Sequence, residues 1–279
     1  METGTLWLGL LLGALAAICL NVGKGIQKMK VKVLGRGRAM FSPPHRRDFV
    51  IWTIGAITSF SATVLYSLAL KYTDKSSLVS SLNGVGLIGL VLFAWLVLKE
   101  PMGLREWLGA ALVVVGTTAM GYLDQPLPAG QSYSLSRFLY LVVILIAIFG
   151  PLALLALRVV RLHGLIFGAI VGTLIGVAMI LGDMALVKSQ GDFFGQLQNP
   201  YSYIAIFCGG SALALTQFAF WRASALAVVP TINSFMILVP VLLEYFTFGT
   251  VLRPVQYGAV LIIVAGVVLL TTAPRQEFA

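Results

Sequence analysis

Two asparagines interrupt apolar runs of this chain at matching places. Asn83 lies in "SSLNGVG" (80–86) and Asn233 in "PTINSFM" (230–236), a separation of 150 positions. A carboxamide offers one acceptor and two donors. Buried in lipid without a partner it costs several kcal/mol. Each asparagine therefore either bonds a neighbouring helix or lines a polar path for a solute. Two acids stand in similar surroundings, Asp183 in "LGDMALVK" and Glu244 in "PVLLEYF". A carboxylate at membrane depth can attract a cation or carry a proton. Near the interface it stays hydrated and does neither. Lys24 poses the same choice at the other end, with snorkelling as its plain alternative.

Helical spacing decides which residues these groups could share a face with. In the first apolar run, Gly9, Gly13, Ala17, Asn21, Lys24 and Lys28 form one stripe. Ser76, Ser80, Asn83 and Leu87 form another, and Gly164, Gly168, Gly172 and Gly176 lead to Asp183. Gly210, Ala214, Gln217 and Trp221 align, as do Pro230, Asn233, Ile237, Pro240 and Glu244. Small residues let helices approach closely, so the polar groups are expected on packed faces. The candidate cavity residues are Asn83, Asn233, Ser80, Thr231, Gln217 and Asn21, with Tyr66, Trp95 and Trp221 as an apolar wall. Asp183, Glu244 and Lys24 are the candidate coupling or cation-handling groups. Pro230 and Pro240 could free carbonyls of one helix to line a cavity.

The elements that must hold these groups follow from composition. Hydrophobic residues make up 59% of 279 and charged residues only 10%, against roughly 25% in a soluble domain. The expected class is an all-α integral membrane protein, since about 20 residues of helix cross a hydrocarbon core of about 30 Å. Nine spans are expected, at about 5–23, 49–70, 77–98, 105–123, 138–157, 165–187, 202–221, 225–247 and 255–272. The first, which starts "METGT" without a basic leader, reads as a span rather than a signal peptide.

The net charge of +9 suggests nucleic acid until its placement is seen. Lys24, Lys28, Lys30, Lys32, Arg36, Arg38, Arg46 and Arg47 crowd the first connection. Lys99, Arg105, Arg158, Arg161, Arg222 and Arg275 fall on the same side, against Lys71, Lys75, Arg137, Lys188 and Arg253 on the other. The positive-inside rule then puts the N-terminus outside and the C-terminus in the cytoplasm. The basic connection reads as a lipid-headgroup-facing segment. Cys19 and Cys208 are expected as packed thiols inside spans, and His45 and His163 as isolated residues in basic loops. No hydrolase, P-loop, zinc or dinucleotide motif occurs, so neither an enzyme nor a bound cofactor is expected.

A shift of 150 lays the third span on the eighth and Asn83 on Asn233. The next spans match as "EWLGAALVVVG" (106–116) and "VQYGAVLIIVAG" (255–266), with one extra residue in the second copy. "NVGKGIQK" and "LGDMALVK" match at 160. Spans one to four thus echo spans six to nine. Five spans is an odd offset, so the second copy runs inverted through the membrane, a common build of secondary transporters. The expected layout is one transporter domain over 1–279: repeat one about 5–123, a linking span about 138–157, and repeat two about 165–272.

The stretch "SSLVSSLNGVGLIGLVLFAWLVLKEPMGLREWLGAALVVVGTTAM" (76–120) shows a span, an acidic-Pro turn at Glu100-Pro101 and a Gly-patterned span. With "NVGKGIQKMKV", "YSLALKYTDKSSLVSSLNGVG" and "FWRASALAVVPTIN", this resembles the drug/metabolite transporter superfamily. Within it, the chain is most similar to NIPA-like magnesium transporters and their bacterial EamA-type relatives. The resemblance implies a bacterial cytoplasmic-membrane transporter with two inverted repeats and alternating access to a central cavity. Magnesium needs hard oxygen ligands and keeps several waters. Asp183, Glu244, Asn83 and Asn233 could offer oxygens, though at depths that do not converge on one small cage. Export of a small organic, drug-like or lipid-linked molecule stays open beside magnesium. So does a scaffold subunit that transports nothing. The expected partners are a small solute or ion and membrane lipid, not nucleic acid.

Overall fold

The computed structural model describes residues 3–72, 82–100, 102–123, 132–189, 195, 198–249, 251 and 253–272. Ser80 lies outside them. Among the described residues there are nine α-helices, α1 (Thr3–Lys30), α2 (Pro43–Tyr72), α3 (Asn83–Leu96), α4 (Leu104–Leu123), α5 (Leu135–Arg158), α6 (Val160–Lys188), α7 (Pro200–Arg222), α8 (Ala225–Phe248) and α9 (Pro254–Thr272). A 3-10 segment, Val31–Phe41, joins α1 to α2 and breaks at Gly37, where φ is 54°. Seven segments are long and apolar enough to cross a membrane, and Asn83–Leu96 and Pro254–Leu270 are shorter apolar helices. Phe60, Ile146, Phe207 and Leu261 are about two-thirds exposed or more. A soluble fold would hide such side chains; on these helices they meet acyl chains.

Local chemistry sets the ends. Prolines open α2, α7 and α9 at Pro43, Pro200 and Pro254. Their fixed φ suits a first turn, and their missing N–H would be unpaired there anyway. Asn199 Oδ1 accepts from Tyr201 N at 3.1 Å, which satisfies one free donor of α7. Two expectations shift. The first helix continues through Lys24 and Lys28 to Lys30, because no breaker intervenes and lysines complement a helix C-terminus. Only Val159 separates α5 from α6, so His163 lies in the first turn of α6, fully buried, rather than in a loop.

The chain forms two compact units. One holds Met1–Gln125, Ala223–Pro230 and Gly258–Ala279; the other holds Pro126–Arg222 and Thr231–Tyr257.

In the first unit α1 packs on α2 and α3. Gly23 and Gly55 bring α1 and α2 so close that a Cβ on either would lie under 3.0 Å from the other's carbonyl oxygen. Gln27 Nε2 donates to Gly55 O at 3.3 Å and to Ser59 Oγ at 3.0 Å across this seam. Lys30 and Asp48 close its end with a 2.6 Å ion pair, half in solvent.

Helices α4 and α9 also meet in this unit, through residues 109–116 and 259–270. A Cβ on Gly109 would lie 3.0 Å from Gly266 O, and one on Gly116 would lie 3.1 Å from Ala259 O. Gly116 faces Ile263, and Gly266 faces Val113. A shift of 150 carries Gly109 to Ala259, Val113 to Ile263 and Gly116 to Gly266, and so exchanges the two sides of each contact. The same shift relates the ends of these helices. Glu106 Oε2 accepts from Gly103 N at 2.8 Å, and Gln256 Oε1 accepts from Arg253 N at 2.7 Å. It also relates Lys99 to Gly249, which both have positive φ, 53° and 73°. These contacts follow a constant shift of 150, without the extra residue that matching the two strings suggested.

The second unit packs α6 against α7, α5 and the later part of α8. Its apolar core includes Phe138, Leu141, Ile180, Met184, Leu243 and Phe248. Gly172 and Gly176 seat α6 directly on α8, against Ile232 O and Pro240.

Candidate functional site

Buried polar side chains in each unit are the candidates for handling a solute. In the first unit they lie along one face of α1. Asn21 is almost fully buried, and its Nδ2 donates to Ala17 O at 3.0 Å. A Cβ on Gly86 would meet that amide nitrogen, so α3 presses directly on Asn21. Lys24 follows, 9% exposed, with Lys28 half-buried one turn on. Gly23 and Gln27 face α2, whereas Gly25 faces Phe93 of α3. Lys24 sits between these two faces. Among the described residues no ion pair or hydrogen bond to its ammonium occurs.

Glu100 is the other charge found buried among the described residues of this unit, 7% exposed. Its Oε1 accepts from Ala225 N at 2.8 Å and its Oε2 from Leu226 N at 3.1 Å, both at the start of α8. The sequence marks this residue only as half of an acidic-Pro turn, because its partners lie 125 positions away.

In the second unit the polar run is Thr231, Asn233 and Ser234 on α8, with Thr216 and Gln217 on α7, all buried. Thr216 Oγ1 returns to Ala212 O at 2.7 Å, which leaves Gln217 as the longer polar arm of that helix. His163 went unnoticed as a buried group. Its ring packs 4.6 Å from Phe167 and 5.1 Å from Phe218. Nε2 donates to Phe218 O at 3.2 Å, and Nδ1 is buried with no hydrogen-bond partner among the described residues. Nothing in the sequence reveals this, since a histidine among basic residues at a span end reads as solvated.

The remaining expected residues are spread widely. Asn83 opens α3 and is half-buried, whereas Asn233 lies more than two turns into α8. Asp183, Glu244 and Tyr66 are half-buried. Trp95 is 49% exposed and meets Trp107 edge-on at 6.1 Å; Trp221 is 44% exposed. Both indoles therefore present much of their surface outward. Both cysteines are free thiols and only half-buried, less enclosed than the packed thiols expected. Among the described residues no group of three or more His, Cys, Asp or Glu could hold a metal ion.

Just ahead of α5, burial and a hydrogen bond to Tyr201 push the Tyr133 hydroxyl up to about 12. It stays neutral at physiological pH. Lys188 lies 5.3 Å from the centre of the Tyr201 ring, a cation–π contact.

The EamA-like transporter family matches residues 5–122. The EamA-like region covers α1 to α4, including the stretch from which the superfamily resemblance was read. Beyond it, the chain is 25% identical over 299 residues to "Probable magnesium transporter NIPA9" of Arabidopsis thaliana. That match covers 97% of this chain and 83% of the plant protein. No solved structure matches significantly. The EamA-like region, the plant relative and the apolar helices agree with an integral membrane protein similar to transporters. The family is one of transporters rather than enzymes.

Proposed function

We propose that the chain is a secondary transporter that moves a small solute by alternating access, using inverted repeats at about 5–123 and 165–272. The α4–α9 crossing carries the reading. Its glycine contacts exchange under a shift of 150, as two copies related by a twofold axis in the membrane plane require. The matched helix caps at Glu106 and Gln256 support the same register.

Magnesium is the first candidate solute, on the name of the plant relative. A hydrated divalent cation can be handled by neutral oxygens, and Asn233, Thr231, Ser234 and Gln217 supply them in the second unit. Lys24 favours the second candidate, a small organic anion. A buried ammonium is costly unless it meets an opposite charge, and a carboxylate or phosphate on the solute would provide one.

Liposomes containing the purified protein separate the two. A magnesium indicator inside them reports one solute, and radiolabelled short carboxylates report the other. On the magnesium reading, Asn233→Leu and Asp183→Asn lower influx about tenfold, whereas their melting temperatures fall by only a few degrees, in line with about 1 kcal/mol for an interhelical polar contact. On the anion reading, Lys24→Gln abolishes carboxylate flux and Lys24→Arg retains it. A protein that moves neither solute, with all variants merely less stable, would overturn transport and leave the scaffold.

Orientation is a separate expectation. The excess of basic residues on one side places the N-terminus outside and the C-terminus in the cytoplasm of a bacterial cell. A tag on Ala279 should resist protease added to intact cells. Its cleavage in sealed cells would reverse the topology.

A further inference from the structure

The buried carboxylate of Glu100 is delivered by a bent backbone. Helix α3 ends with Val97 N and Leu98 N both donating to Phe93 O, at 2.8 and 3.2 Å. Lys99 then takes φ 53°, and Glu100 N closes back on Ala94 O at 3.0 Å. The left-handed region is unfavourable for a residue with a Cβ. Glycine would adopt it freely and stands at the position 150 residues on, Gly249. The strained turn aims the Glu100 side chain at the start of α8, where its two oxygens take Ala225 N and Leu226 N. Ser224 Oγ takes the next donor, Ala227 N, at 3.2 Å. The first N–H groups of a helix have no partners within it, and they form its positive end. A carboxylate that accepts from two of them makes charge-assisted bonds, stronger than neutral ones. Lys28 of α1 lies within electrostatic reach of the same carboxylate.

We propose that Glu100 is a positioning residue for transport, a latch that ties the first turn of α8 to the α3–α4 turn and biases the protein toward the conformation closed at that end. This rests on the alternating-access reading. Helix α8 continues from the latch into the buried polar run Thr231–Ser234. Two perfectly matched inverted repeats would give inward-open and outward-open states of equal energy. At a shift of 150 the counterpart of Glu100 is Thr250, which carries no carboxylate. The second repeat therefore carries no carboxylate at this position, and the two ends are not matched in sequence.

The test uses the full chain in liposomes, with Cys19→Ala and Cys208→Ala to remove native thiols. Single cysteines are placed at either end of α8, as Ala223→Cys beside the latch and Thr247→Cys in the last turn. Each is labelled with a membrane-impermeant maleimide applied to the face of the membrane nearer to it. Glu100→Gln keeps the shape, but it replaces one acceptor with an amide donor that faces an N–H. The expected result is at least a tenfold rise in labelling at 223, together with a fall at 247 and faster amide hydrogen exchange over 223–230. General loosening would raise labelling at both ends, which would overturn the latch. Unchanged labelling and unchanged exchange would overturn it too. Glu100→Asp retains the charge one methylene shorter and covers the case in which Glu100→Gln does not fold. Its labelling at 223 should be intermediate, and a rate equal to the parent's overturns the proposal. Opposite shifts at the two ends support the latch even where neither magnesium nor carboxylate is moved, so its failure is distinguishable from failure of the assigned solutes.

Discussion

Gly172→Leu is expected to force α6 away from α8 and to destabilise the folded protein. A Cβ at residue 172 would lie 2.5 Å from Ile232 O, 2.6 Å from Phe235 Cβ and 3.0 Å from Met236 N. These neighbours include backbone atoms of a packed helix, so no side-chain rotation relieves the overlap. Even alanine forces the helices apart, and leucine adds three more carbons. The cost should reach about 3 kcal/mol, the upper part of the usual range for overpacking. For a chain of this size that corresponds to a melting temperature lower by roughly 10 °C. Gly182 is the control on the same helix. It is exposed, and a Cβ there meets nothing within 4 Å. Gly182→Leu should melt at or above the parent temperature, since glycine is about 1 kcal/mol worse than the best helix formers. Thermal unfolding of the two variants in the same detergent decides the matter. Equal melting temperatures would mean that the α6 glycine stripe faces lipid.

Gly266→Leu and Gly258→Leu should differ as sharply. String matching pairs Gly109 with Gly258, yet a Cβ on Gly258 meets nothing within 4 Å. At Gly266 a Cβ would lie 2.8 Å from Gly109 O and 2.8 Å from Val113 N. Gly266→Leu should therefore cost about 3 kcal/mol, whereas Gly258→Leu stays within about 0.5 kcal/mol of the parent. Gly116→Leu should match Gly266→Leu, because the two residues exchange places under the 150-residue shift. Unequal losses at 116 and 266 would count against a twofold relation in this crossing. Yield after size-exclusion chromatography, followed by thermal melting, measures all three.

Composition alone determined that this chain is a bundle of membrane helices. Only long apolar helices satisfy their backbone hydrogen bonds inside lipid, so hydropathy locates them without knowledge of packing. Helix starts were nearly as legible: Pro43, Pro200 and Pro254 open helices by local sterics that need no tertiary partner. The superfamily resemblance could be read for the same reason, as it lives in the glycine spacing and the Glu100-Pro101 turn.

Which face of each helix packs was a matter for the tertiary structure. In a soluble protein water sorts the faces, but lipid is as apolar as a leucine core and leaves little contrast to read. Gly172 and Gly182 look alike in the sequence, yet one touches the backbone of α8 and the other faces outward. Where charges go was equally hidden. Glu100 follows a lysine and precedes a proline at the end of an apolar run, as a solvated turn residue would. It is buried because the first turn of α8, 125 positions later, brings two unpaired N–H groups within its reach. Lys24 and His163 are buried for a similar reason. Helices α1 and α6 continue past the expected span ends, and packed neighbours close over side chains that a shorter helix would have left in water.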